Sequence, residues 1–146
     1  MALIAGMFDS GALPVAERLV AFTGRRHQVL THNIANLSTP FFKPQDVDTK
    51  SFQAALSDAV DRRRATSSPI RGALQLENSR QLRFTRDGVE LRPHPTNENI
   101  LFHDQNNRDL ERTMQNLAEN TMANQLGIEL VRNQFDMLRL AIRERI

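Results

Sequence analysis

A chain of 146 residues has the length of one ordinary domain, and 40% apolar with 25% charged residues sets it apart from disordered sequences. It contains no Cys, which excludes disulfides, thiolate metal sites and a Cys nucleophile. A formal net charge of +2 is too small to signal nucleic acid by itself, and Phe is the only large aromatic, so long helices with aliphatic seams fit better than an aromatic-lined pocket.

Residues 1–8 are apolar but lack the basic start, long apolar stretch and small-residue cleavage site of a secretory signal, and no apolar run approaches membrane-spanning length. If the chain is exported, it leaves by another route. The first helix is predicted from about residue 14, where Pro14 suits a first turn, to about residue 36, ahead of the turn-forming Ser38, Thr39 and Pro40. Alternating steps of four and three pick out Val15, Leu19, Phe22, Arg26, Val29, Asn33 and Asn36, a seam that begins apolar and ends polar.

Two prolines break the pattern over residues 40–50, and a short helix is expected over residues 51–64 with Phe52, Ala55, Leu56 and Val60 on one side. Leu82 and Phe84 alternate, Asp87 and Gly88 suit a hairpin turn, and Val89 and Leu91 alternate beyond it. Pro93 and Pro95 are expected to end this hairpin. A second short extended stretch is expected over residues 100–102, before a polar run over residues 104–107.

The clearest element is the last. From Leu110 the same spacing gives Met114, Leu117, Thr121, Asn124, Ile128, Val131, Phe135, Leu138, Ile142 and Arg145. Asp109 or Asn107 suits the cap, Glu111 the positive helix start, and Arg139, Arg143 and Arg145 the negative end. Such a helix, on the order of 50 Å long, outreaches both a small core and the first helix. Positions such as Leu138 and Ile142 are therefore expected to pack between chains.

The fold class that follows is mainly α: two long terminal helices packed as an antiparallel coiled-coil-like core, with a small middle segment containing a short β-hairpin. The expected division is residues 1–37 for the N-terminal core helix, 38–105 for the connector and middle segment, and 106–146 for the C-terminal core helix. No phosphate-cradling glycine loop, nucleophile elbow or functional carboxylate pair is evident, so no enzyme, catalytic residue or cofactor is expected. His94 and His103 with Asp104 lack a third ligand, and His27 and His32 fall on different helix faces, so no metal is expected. Arg62, Arg63 and Arg64 read as a solvated helix end. Acidic residues interrupt the arginines of the last helix, which excludes the basic stripe of a nucleic-acid binder.

On periodicity alone the seams read as an intramolecular core, and the Asn-rich run as an ordinary helix end. That run, His32-Asn33-Ile34-Ala35-Asn36-Leu37-Ser38-Thr39-Pro40, resembles the Asn-Asn-(Ile/Leu)-Ala-Asn-x-x-Thr-Pro signature of flagellar rod, hook and hook-associated proteins. Asp109, Leu110, Glu111, Arg112, Thr113 and Met114, then Leu117 to Asn120, then the stretch from Phe135 to Ile142, resemble the proximal members of the flagellar basal-body rod family. The likeness covers both ends, roughly half the chain. The signature residues are Asn33, Ile34, Ala35, Asn36, Thr39 and Pro40; three positions depart from the family. His32 stands for Asn, Phe41 for a Gly that would enter left-handed backbone freely, and Gln105 for a turn Gly, so the turn at Phe41 is expected to be rebuilt.

The resemblance implies a structural subunit of the periplasmic rod in the basal body, exported through the flagellar type III apparatus without a cleaved signal. It implies self-assembly through the terminal helices to transmit torque. It implies partners among other copies, neighbouring rod proteins and the membrane-ring junction, with no nucleic acid and no small-molecule substrate. The expected assembly seam is Val15, Leu19, Phe22 and Val29 with Leu117, Asn124, Ile128, Val131, Phe135, Leu138 and Ile142. Asn33, Asn36 and Asn124 are expected to set register, because a buried amide must find its match. The alternative is a cytoplasmic coiled-coil adaptor or oligomerisation module.

Overall fold

A computed structural model describes residues 11–66, 74–85, 88–95 and 109–143. In chain order the elements are α1 (Leu13–Ala35), β1 (Gln45–Asp46), α2 (Thr49–Arg64), β2 (Leu82–Thr85), β3 (Gly88–Leu91), β4 (His94–Pro95) and α3 (Leu110–Arg143). Pro14 lies in the first turn of α1, where its missing N–H is no loss. The Asp109 carboxylate accepts from the Arg112 amide at 2.9 Å and caps α3. The predicted positions 100–102, 104–107, Asp87, His103 and Arg145 lie outside the described residues.

The two long helices run antiparallel. Gly11 lies against Gln134, Leu19 and Val20 against Gly127, and Thr23 against Asn120 and Asn124, so numbers rise along one helix as they fall along the other. The mainly α architecture with a small strand-bearing middle is thus the one expected.

The largest apolar cluster sits on another side of α1. Phe22, Val47, Phe52, Leu82 and Val89 are buried together, with Leu19, Leu56, Phe84 and Leu91 packed around them. The rings of Phe22 and Phe52 stack with centroids 4.0 Å apart. α1 is therefore two-faced: one face closes the core over α2 and the hairpin, and another meets α3. Arg18 secures the first face by donating to the carbonyls of Thr85 and Gly88, both at 2.8 Å, at the open ends of the hairpin turn.

In the hairpin, β2 and β3 are antiparallel with Leu82 opposite Leu91 and Thr85 opposite Gly88. The hairpin ends at Leu91, ahead of Pro93 as expected, and His94–Pro95 pairs instead with Gln45–Asp46 in a separate two-stranded sheet. Proline is compatible with such a two-residue edge because an edge position need not donate into a ladder. α2 begins at Thr49, earlier than predicted, because Asp48 caps it. Asp48 accepts from the Lys50 amide at 2.9 Å and the Ser51 hydroxyl at 2.7 Å. The Ser51 hydrogen bond chiefly, with help from Lys50 and against slight desolvation, holds the Asp48 carboxyl below its ordinary value.

Candidate assembly surface

The signature run is a helix stop followed by a clamp. Asn33 is buried, and its Nδ2 donates to the Gln45 carbonyl at 2.6 Å while its Oδ1 accepts from the Gln45 amide at 3.0 Å. One side-chain amide thus presents the donor and acceptor of a strand neighbour, which Asp or Leu could not do. Asn36 closes α1, its Nδ2 donating to the His32 carbonyl at 2.9 Å. The Asn36 carbonyl then accepts from the Thr39 amide at 2.9 Å, starting the turn. Ile34 is half-buried, whereas Ala35, Thr39 and Pro40 are exposed.

Phe41 sits at φ 60°, the left-handed region that a family glycine enters freely, and it is the one described non-glycine residue there. Its neighbour Phe42 folds back against His32, ring centroids 5.5 Å apart. Beside them Arg25, Val29, His32, Phe42, Leu91 and Pro93 line an open groove of about 570 Å³.

Of the predicted seam, Phe22 is buried on Phe52, and Val15, Leu19 and Val29 are half-buried. On α3, Leu117, Asn124, Ile128, Val131 and Leu138 are half-buried, whereas Phe135 and Ile142 are exposed. The two helices approach closely at Thr23 with Asn120 and Asn124 and at Leu19 and Val20 with Gly127, and the buried α3 residues, Asn120 and Gly127, are offset from that seam. Asn120 Nδ2 donates to the Thr23 carbonyl at 2.9 Å, and Asn124 Nδ2 donates to the Thr23 hydroxyl at 2.8 Å. That hydroxyl donates in turn to the Leu19 carbonyl at 2.8 Å. Asn33, Asn36 and Asn124 therefore each find their matching groups within their own chain.

Sequence reasoning missed Asn120, Gly127 and the ion pair of Arg26 with Asp46, in which Nε and Nη2 meet the two carboxylate oxygens at 2.9 and 2.6 Å. The polar members of the α1 seam were the available signal. Arg62 pairs with Glu77, and Arg63 turns inward to donate to the Gly11 carbonyl at 2.9 Å, so only part of the arginine run is a solvated helix end. Among the described residues no three His, Cys, Asp or Glu gather as a metal site, and no helix is long and apolar enough to cross a membrane.

α3 keeps apolar side chains that the single chain does not cover. Leu110, Met114, Met122, Leu126, Leu130, Met137, Leu140 and Ile142 are all exposed in the single chain. The flagellar basal body rod protein FlgB of Borrelia hermsii is 30% identical over 137 residues, spanning 90% of this chain and 96% of the relative. The chain belongs to the FlgB family. FlgB of Yersinia enterocolitica is 25% identical over 131 residues, 85% of this chain and 88% of that protein. No protein-family model matches. At that coverage the FlgB likeness runs through the middle segment as well as the two helical ends.

Proposed function

We propose that this chain is a structural, non-catalytic subunit of the flagellar basal-body rod, exported by the type III apparatus without a cleaved signal. Its terminal helices assemble with further copies, with neighbouring rod proteins and with the membrane-ring junction, and the packed helices transmit torque. The division into residues 1–37, 38–105 and 106–146 then separates the two core helices from a middle piece that decorates them.

The observation carrying this reading is the length of α3, 34 residues against 23 in α1, with Phe135, Met137, Leu140 and Ile142 exposed towards its end. Exposed apolar area on a helix favours burial against another chain. Leu138, at the end of the expected seam, is the place to test it. Leu138→Asp puts a carboxylate into an apolar contact and is expected to block incorporation into purified basal bodies while the chain is still made and exported. Normal incorporation of that variant refutes the seam. Limited proteolysis gives a second readout: cuts within residues 11–36 and 110–143 in the free chain are expected to disappear in basal bodies, and termini equally protected in both states favour the self-sufficient adaptor.

A further inference from the structure

Phe41 carries two burdens in a single chain. It holds a left-handed backbone that an aromatic residue rarely adopts, and 77% of its surface is exposed. A strained residue persists where something else uses it, and within the chain the ring secures little burial in return. Lys43, two residues on, is the only charged side chain of the turn over residues 36–44; it is exposed, and none of the described salt bridges involves it.

A surface of matching chemistry lies elsewhere on the molecule. Met122 and Leu126 are 69% and 56% exposed and one helical turn apart, on the side of α3 turned away from Asn120, Asn124 and Gly127, which face α1. Glu119 and Glu129 bracket them and are the only charged residues between positions 113 and 131. Glu119 accepts from Gln115 at 2.9 Å, and neither carboxylate belongs to a described salt bridge. The turn of Phe41 follows the end of α1 that lies beside the first turns of α3, where Asn33, Asp109 and Thr113 line one cavity. Its own Met122 and Leu126 are about two and a half to three and a half turns beyond Thr113 along α3, on the opposite side.

We propose that Phe41 inserts between Met122 and Leu126 of a second copy, with Lys43 against Glu119 and Glu129. The inference rests on the rod-subunit reading and names one contact within it. Apolar knob and apolar strip, cation and carboxylates, belong to different faces of one molecule. The contact is therefore head-to-tail, the kind that builds an open stack when its rotation does not close a ring. The left-handed turn aims the ring outward.

The chain has no Cys, so introduced thiols report without background. Phe41→Cys combined with Leu126→Cys, in cells whose own copy is deleted, is expected to give a reducible ladder of cross-linked dimers and higher oligomers in oxidised, purified basal bodies; neither single variant is. Phe41→Gly is expected to raise the melting midpoint of the free chain by up to about 3 °C, by releasing the backbone. The same variant is expected to reduce incorporation into basal bodies roughly tenfold. No cross-link, with Phe41→Gly incorporated like the natural chain, overturns the contact and leaves the rod reading standing. Absence of the natural chain from purified basal bodies overturns both.

Discussion

Gly127 and Gly24 both lie inside long helices, yet the same change to Ala is expected to move stability in opposite directions. A Cβ at Gly127 would stand 2.8 Å from Val20 Cγ2 and 3.4 Å from Leu19 Cδ2. Val20 is β-branched and stiff at χ1, so its methyl cannot swing aside without moving α1. Overpacking of this kind costs about 1–3 kcal/mol, whereas the gain in helix propensity from Gly to Ala is about 1 kcal/mol. Gly127→Ala is therefore expected to destabilise by about 1 kcal/mol net. A Cβ at Gly24 meets nothing within 4 Å, so only the propensity gain remains and Gly24→Ala is expected to stabilise by about 1 kcal/mol. Thermal unfolding followed by circular dichroism separates them, at about 4 °C for each kcal/mol in a chain of this size. Equal stabilisation by both substitutions would refute the close crossing of α1 and α3 at Gly127.

Arg26→Ala leaves the Asp46 carboxylate without its bidentate partner at a site where the two side chains are 9% and 16% exposed, and a loss of about 3 kcal/mol is expected in urea unfolding. The double change Arg26→Met with Asp46→Leu removes both charges and is expected to lie much nearer the natural chain; a double variant as unstable as the single one contradicts the account. Asp48 supplies the pH dependence. Its carboxyl is held below its ordinary value, so its contribution is present above the usual carboxylate range and disappears as pH falls through about 4 and below. Asp48→Ala is expected to cost about 1 kcal/mol at pH 7 and less at acid pH, which a pH series of melting curves tests.

Periodicity was sufficient to place α1, α2 and α3, because a helix face repeats within a few residues and its ends announce themselves through Pro14, Asp109 and the Asn36 stop. The hairpin was legible for the same reason, since alternation around Asp87 and Gly88 is a local pattern. The pairing of Gln45–Asp46 with His94–Pro95 was not, because its two partners lie far apart in sequence and each is only two residues long. Spacing marked Leu117, Asn124 and Val131 as one face, but it could not rotate that face by the fraction of a turn that brings Asn120 and Gly127 against α1. That rotation depends on how closely two backbones approach, and closeness depends on a missing Cβ at Gly127 and on one hydroxyl, Thr23, serving as both donor and acceptor.

The sequence by itself determined a mainly α chain, the two antiparallel terminal helices, and the axial-family signature over residues 32–40. Only the tertiary structure decided that Asn33 clamps Gln45, that Arg26 finds Asp46, and that Phe41 keeps a glycine's backbone with its ring in solvent. The first set rests on interactions between near neighbours, whose periodicity is written in the order of residues. The second rests on groups brought together only by the fold, where hydrogen-bond geometry and steric clearance choose among partners that sequence order leaves equivalent.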